Sequence, residues 1–244
     1  YYRIVSVWNG LVLETDGLSP ATVTLARPSS STRQQWQLNY QTHYPKKGTG
    51  GYEGDWARFG TSWSYNWGRD TSANLPAQVV FEPMQHNRWW PGWDTLTEYY
   101  SGWHTASKPI AILGFNEPDH TDQANMSVGD ALALWPQLEQ TDMPLVSPVA
   151  ANAYGGWLGD FYNQANSLGF RVDFTAVHWY GNPDASGLIN HLQSVYNTWG
   201  RAVWLTEFSA VDWGGTATWT EEDNYRFLSE FMWRAEDLVW FTSH

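Results

Sequence analysis

The chain contains no cysteine in its 244 residues. Disulfides and thiolate metal sites are thereby excluded, while the compartment is left open. Basic residues are scarce: 13 Lys and Arg stand against 25 Asp and Glu, a formal net charge of −12. Such a surface repels a polyanion, so nucleic acid is not an expected partner. No apolar run approaches the length of a membrane span, so no membrane is expected either. The first residue is Tyr, and no basic stretch followed by an apolar one opens the chain. We therefore expect a mature or excised chain whose secretion signal is not visible. The His residues form no H-E-x-x-H or other recognisable ligand spacing, and no G-x-S-x-G elbow is present. Neither metal nor serine-nucleophile chemistry is suggested, and no cofactor is implied.

What the chain has in abundance is aromatic side chains: 18 Trp, 13 Tyr and 10 Phe. A core does not need that many indoles, each with an N–H to satisfy. Flat neutral ligands whose C–H faces stack on rings, sugars among them, suit this composition. We expect some Trp in the core and some at a binding surface.

Residues 1–42 read as short β-type runs separated by the turn signals Asn9-Gly10 and Asp16-Gly17. Residues 43–57 read as a linker. Gly48, Gly50, Gly51 and Gly54 lie in it, but no strand pattern precedes them and no helix pattern follows, so a phosphate loop is rejected. Over 58–244, apolar runs recur at 59–67, 77–84, 109–117, 144–151, 172–180, 201–209 and 237–244. They are too continuously apolar for a half-solvated sheet and fit parallel strands covered by helices. Helical patterns lie between several of them. Ser127 and Asp130 have capping-box-like spacing, residues 184–199 carry one apolar face, and Thr220 with Asp223 opens a further helix. This alternation predicts an α/β fold, an imperfect (β/α)8 TIM-type barrel with a small N-terminal β appendage. Only seven strands are clear. The missing one is expected in 85–108, and the eighth helix is expected to be absent or replaced.

In such a fold, active groups project from the C-terminal strand ends. Those ends carry Tyr65, Asn66 and Trp67; Glu82; Asn116, Glu117 and Asp119; Asn152; His178 and Tyr180; Glu207; and Trp240 with His244. Glu117 ends "ILGFNE" and Glu207 ends "VWLTE". Either Glu alone would read as a rim residue in a salt bridge. The pair, with an amide and aromatics around it, fits glycoside hydrolysis, which needs two carboxyl groups flanking the scissile bond. At about 5–5.5 Å separation such a pair works through a glycosyl-enzyme with retention of configuration. One carboxyl must carry a proton, which calls for a raised pKa, while the other stays ionised.

"GFNEPD" and "VWLTEFS", with "SWSYNWG", "VVFEPM", "SPVAAN" and "FTAVHWYG" in order, resemble the signatures of glycoside hydrolase family 128, the β-1,3-glucanases of a retaining barrel clan. The resemblance implies that Glu117 is the acid/base after strand four and Glu207 the nucleophile after strand seven. Asn116 would hydrogen-bond the sugar 2-hydroxyl, and Tyr180 or His178 would steady the nucleophile. Trp67, Trp179, Trp213 and Trp240 would be sugar platforms, Glu82 a subsite contact, and Tyr65 and Asn66 further substrate-binding residues. In residues 1–42, "QQWQL" and "YRIVSVWNGLVLETDG" resemble a single ricin-type β-trefoil repeat. Roughly 40 residues rarely bury enough surface to fold alone, so a structural role packed on the barrel is expected before a sugar-binding one.

The expected protein is thus a retaining endo-β-1,3-glucanase, secreted, monomeric and without a cofactor, with β-1,3-glucan as its partner. The rival readings are exo cleavage, a clan enzyme acting on a mannan or β-1,4-glucan, and a glucan-binding protein that does not cut. Asp119, Asp122 and His120 are read as a turn or cap before a cation site. Trp89, Trp90 and Trp93 either stack on sugars or fill the gap left by the weak strand.

Overall fold

The computed structural model describes residues 11–16, 22–35, 46–51, 54, 56–102, 109–216 and 218–243. Asn9, Gly10, Gly17, Trp36 and His244 lie outside the described residues. The chain divides into two compact units, Tyr1–Thr42 and His43–His244.

The first unit holds an antiparallel pair, β1 (Val12–Thr15) against β2 (Val23–Ala26), with Leu13 opposite Leu25. A 3-10 turn, Thr32–Gln34, follows. Gln34 is buried. Its amide nitrogen donates to Glu14 Oε2 at 2.6 Å and to the Arg27 carbonyl at 2.8 Å. Its oxygen accepts from Ser29 N at 2.7 Å. One amide side chain thus fastens the turn to the hairpin.

Among its described residues the second unit contains eight parallel strands. They are β3 (Gly48–Gly50), β4 (Trp63–Tyr65), β5 (Val80–Phe81), β6 (Ile112–Leu113), β7 (Leu145–Val146), β8 (Thr175–Gly181), β9 (Val203–Ala210) and β10 (Phe241–Ser243). The helices are the single turn α1 (Trp56–Phe59), then α2 (Val128–Glu139), α3 (Gly156–Leu168), α4 (Ala185–Trp199) and α5 (Glu221–Ala235). Three of the four long α-helices start where the capping chemistry places them, α3 having Gly155 at its N-cap and no side-chain cap. Ser127 accepts from Asp130 N, Asp184 from Gly187 N, and Thr220 with Asp223 forms a full capping box.

The imperfect (β/α)8 barrel expected from the sequence is not formed: among the described residues the sheets are open. The strands fall into three separate ladders, β3–β4–β5, β6–β7 and β8–β9–β10, and among the described residues no ladder joins β10 to β3. Among the described residues only four α-helices exceed one turn. Single bridges, Met84 with Leu113 and Val146 with Phe174, are what connect the ladders. Proline explains the interruptions: Pro83, Pro144 and Pro148 flank the two-residue strands β5 and β7 and supply carbonyls but no N–H.

The strand count corrects in another place too. Residues 93–102 within the 85–108 segment form a 3-10 helix, and no strand lies among that segment's described residues. The extra strand is β3, inside the stretch read as a linker. With β3 counted, β6 is the fourth parallel strand and β9 the seventh.

Three apolar clusters hold this unit. Trp135, Phe161, Phe115 and Tyr162 centre one beside α2 and α3. Leu188, Leu192, Phe227 and Phe231 pack α4 and α5 on the outer side of β8, β9 and β10. The third gathers one face of the strands: Trp63 and Tyr65, Met84, Leu113, Val146, Ala176 and Trp204. The site described next stands at its edge.

Candidate active site

Glu207 lies within β9, and alternation alone would send it the wrong way. Val203 and Leu205 face the α4–α5 cluster while Trp204 faces the other side, so strict period two puts Glu207 with Val203. A bulge resolves this. Val177 pairs with Leu205, but His178 pairs with Glu207, leaving Thr206 as the extra residue. From there Phe208 turns back to the helices, and Glu207 stands opposite His178.

Three donors hold the Glu207 carboxylate. Tyr65 OH donates to Oε1 at 3.1 Å and Trp67 Nε1 to the same oxygen at 2.7 Å. Tyr180 OH donates to Oε2 at 2.6 Å. Burial, reinforced by the neighbouring Glu207, raises the pKa of both Tyr65 and Tyr180, so both remain donors. Trp67 has a left-handed backbone, φ 61°, which is costly for a bulky residue.

Glu117 reaches the site differently. It follows the two-residue strand β6 and has φ 41°. Its amide donates to the Val149 carbonyl at 2.8 Å and its carbonyl accepts from His120 N at 3.0 Å. Its Oε1 lies 2.9 Å from His178 Nδ1, and its Oε2 lies 3.8 Å from His120 Nδ1. His178 is buried and its Nε2 lies 3.4 Å from Glu207 Oε1. One imidazole therefore spans the two carboxylates. The sequence argument called for a raised pKa on one of them. Glu117 is lowered instead: the hydrogen bond from His178 outweighs burial, and the charges of His178 and His120 add to it.

Asn116, beside Glu117, is buried. Its amide nitrogen donates to Gln123 Oε1 at 3.1 Å, and its Oδ1 is buried with no hydrogen-bond partner. An unpaired buried acceptor next in sequence to Glu117 calls for an explanation, and a ligand hydroxyl is one. Trp213 is 78% exposed, packs edge-on to Tyr180, and donates Nε1 to the Tyr180 carbonyl at 3.2 Å. Asn66 shapes the adjoining turn, accepting from Gly68 N at 3.0 Å and donating to the Asp70 carbonyl at 3.0 Å. A cavity of about 320 Å³ opens beside Glu207 between Trp67, Tyr180 and Ser209. A second, of about 540 Å³, lies between Asn66, Arg69 and Trp90.

Three expected site residues are elsewhere. Trp179, between His178 and Tyr180, points to the opposite face and packs on Phe227 at 5.5 Å. Trp240 stacks on Tyr196 at 5.5 Å within the same helix-side cluster. Glu82 is fully buried and accepts from the amides of Ile110 and Ala111, at the start of β6 rather than its end. Burial pushes its carboxyl up to about 7 against those amides. The sequence reading missed His86, whose ring meets Trp90 edge-on at 5.7 Å and whose carbonyl accepts from Asn116 N. Its signal was its place just after the 77–84 run. Gln123 gave no sequence signal. The Trp89–Trp93 group divides: Trp93 packs against the core, while Trp89 and Trp90 are exposed. Among the described residues no group of His, Asp and Glu is placed to hold a metal ion.

This chain matches the family described as glycosyl hydrolase catalytic core over residues 49–240. A crystal structure of an endo-β-1,3-glucanase of glycoside hydrolase family 128, subgroup I, from Amycolatopsis mediterranei in complex with laminaritriose is similar. Its TM-score is 0.68 at 32% identity, covering 81% of this chain and 86% of that one. A subgroup II endo-β-1,3-glucanase from Sorangium cellulosum superposes with a TM-score of 0.65 at 26% identity, covering 81% and 85%. Among curated proteins, alkali-sensitive linkage protein 1 of Schizosaccharomyces pombe is 30% identical over 170 residues. That match takes in 67% of this chain and 30% of the relative, so the chain spans under a third of that protein's length. One carboxylate after the fourth strand and one within the seventh, the matched catalytic core and the level of identity agree: the chain belongs to glycoside hydrolase family 128.

Proposed function

We propose that this chain is a retaining endo-β-1,3-glucanase acting by double displacement. The observation that carries the reading is the approach of Glu117 and Glu207 to one imidazole, at 2.9 and 3.4 Å. Glu117, when protonated, gives its proton to the glycosidic oxygen as that oxygen leaves the anomeric carbon. An oxygen of Glu207 forms the new bond to that carbon from the opposite face. Water then attacks the glycosyl-enzyme, surrendering its proton to Glu117 and releasing Glu207. Tyr65, Trp67 and Tyr180 keep the attacking carboxylate aimed, and Asn116 Oδ1 accepts from the sugar 2-hydroxyl. Trp213, and Trp90 at the second cavity, serve as stacking platforms. The β-1,3-glucan complexes of family relatives support the choice of polymer.

His178 holds Glu117 ionised in the free protein, so the protonated form that starts the reaction is enriched at acid pH. The chain acts as a monomer outside the cell, where the polymer is met. Residues 1–42 form a ricin-type repeat with a structural role. The buried Gln34 of the Gln34-x-Trp36 motif, bonded to Glu14 of β1 and to Arg27 just after β2, supports that reading.

The test is the time course of products from laminarin. A ladder of oligosaccharides appearing together supports endo cleavage; glucose alone from the outset would make the enzyme exo-acting. Faster release from mannan or β-1,4-glucan would move the substrate. No release from any of them by the wild-type chain would leave a binding protein.

A further inference from the structure

The glycine run first considered as a phosphate loop lies along the site. We infer that Gly50 and Gly51 are positioning residues for Glu207, acting through the rings of Tyr65 and Trp67; the inference rests on the proposed role of Glu207 as nucleophile. β3 pairs in parallel with β4, Gly48 opposite Trp63 and Gly50 opposite Tyr65, and Gly51 N donates to the Tyr65 carbonyl at 2.8 Å. Trp63, Tyr65 and Trp67 are alternate residues on one face. Side chains on a sheet normally stand up from it beside their neighbours. Here each ring lies across the adjacent strand, and each meets a glycine. A Cβ on Gly48 would overlap the Trp63 indole, one on Gly50 would sit 2.8 Å from Tyr65 Cε1, and one on Gly51 would overlap the Trp67 ring. Thr49, the one residue of the run with a side chain, opposes the small Ser64.

The lean matters because of where it delivers the polar atoms. Tyr65 OH and Trp67 Nε1 both reach Glu207 Oε1, at 3.1 and 2.7 Å. Tyr65 OH also reaches the Thr206 carbonyl at 3.1 Å, on the extra residue of the bulge. A methyl group under either ring lifts it and withdraws its donor. The two glycines separate two effects. Gly51 has φ 65° and is strained by any side chain, whereas Gly50 is not among the positive-φ glycines, so Gly50→Ala acts through the ring contact alone.

The experiment uses the full chain. It follows kcat and KM on laminarin, the rate at which a 2-deoxy-2-fluoro laminaribiosyl fluoride labels Glu207, and a thermal melt for folding. Gly50→Ala and Gly51→Ala are each expected to lower kcat and the labelling rate roughly 10- to 100-fold, the scale of a lost hydrogen bond to a charged group. KM should change much less. In a Trp67→Ala background, which removes the ring atoms nearest to a Cβ at 51, adding Gly51→Ala should cost kcat about threefold or less, because its target is gone. Gly50→Ala, which carries no such backbone strain, decides the matter if Gly51→Ala does not fold. Folded Gly50→Ala and Gly51→Ala variants with wild-type kcat would overturn the inference. So would a Gly51→Ala loss that is undiminished in the Trp67→Ala background. A dead Glu207→Gln variant beside fully active glycine variants removes only this inference. A fully active Glu207→Gln removes the proposed function itself.

Discussion

Glu207 and Glu117 are delivered to one place by opposite means. Glu207 sits in an eight-residue strand laddered on both sides, and three donors within 3.1 Å fix both its oxygens. Glu117 follows a two-residue strand, takes a left-handed backbone, and among the described residues has one close side-chain partner, His178. The difference matches the two tasks proposed for them. A nucleophile gains from being held on a single line of attack, since small misplacements are costly. A group that gives a proton and takes one back gains from fewer fixed partners, so that substrate oxygen and water can each replace what it touches.

The largest effect that can break this contrast is removal of the carboxylates. Glu207→Gln is expected to lose roughly 10⁴-fold or more in kcat whatever the leaving group. Glu117→Gln is expected to lose roughly 10²- to 10⁴-fold on laminarin but to recover the first step on an aryl laminaribioside with an acidic phenol. Assays of both variants on both substrates check this, and parallel losses would erase the distinction. Next come the donors to Glu207. Trp67→Phe and Tyr180→Phe should each reduce kcat by roughly 10- to 100-fold with thermal stability little changed, read by steady-state kinetics.

A smaller effect sharpens the Glu117 side. With Glu117 lowered by His178, the alkaline limb of kcat/KM belongs at acid pH. His178→Ala removes the lowering hydrogen bond, so that limb should move to higher pH in the variant's pH profile, even as the rate falls. A limb that stays put would mean that His178 does not set the proton on Glu117. The smallest effect concerns stability. Glu82 has a folded-state pKa raised from 4.5 to about 7. Its stabilising contribution is therefore full below about pH 4.5 and lost as pH rises through about 7. Glu82→Gln should flatten the melting temperature over that window, with the activity on laminarin retained at acid pH.

Several features were legible because local chemistry settles them. Ser127 with Asp130 and Thr220 with Asp223 mark helix starts through hydrogen bonds within one turn. The two Glu residues announced themselves by ending apolar runs. Alternation along β8 also contained an answer that went unread: His178 and Tyr180 share a face, and Trp179 between them cannot join them. Other features had no local signature. Glycine-rich β3 looks like a linker because its strand character comes from what lies over it, not from its own side chains. Glu82 reads as a strand-end carboxylate, yet it is spent inside on the amides of Ile110 and Ala111.

The sequence by itself determined the parallel α/β class, the aromatic and acidic character, and the pair of carboxylates, because periodicity, capping and residue type act over a few neighbouring positions. Tertiary structure alone decided that the strands form three ladders instead of a closed ring, that a bulge at Thr206 turns Glu207 toward His178, and that His178 lowers the carboxyl of Glu117. Each of these depends on a partner brought in from a distant part of the chain: 61 residues separate His178 from Glu117, and 140 separate Trp67 from Glu207. Hydrogen bonds and burial across such distances are fixed only once the whole unit has packed.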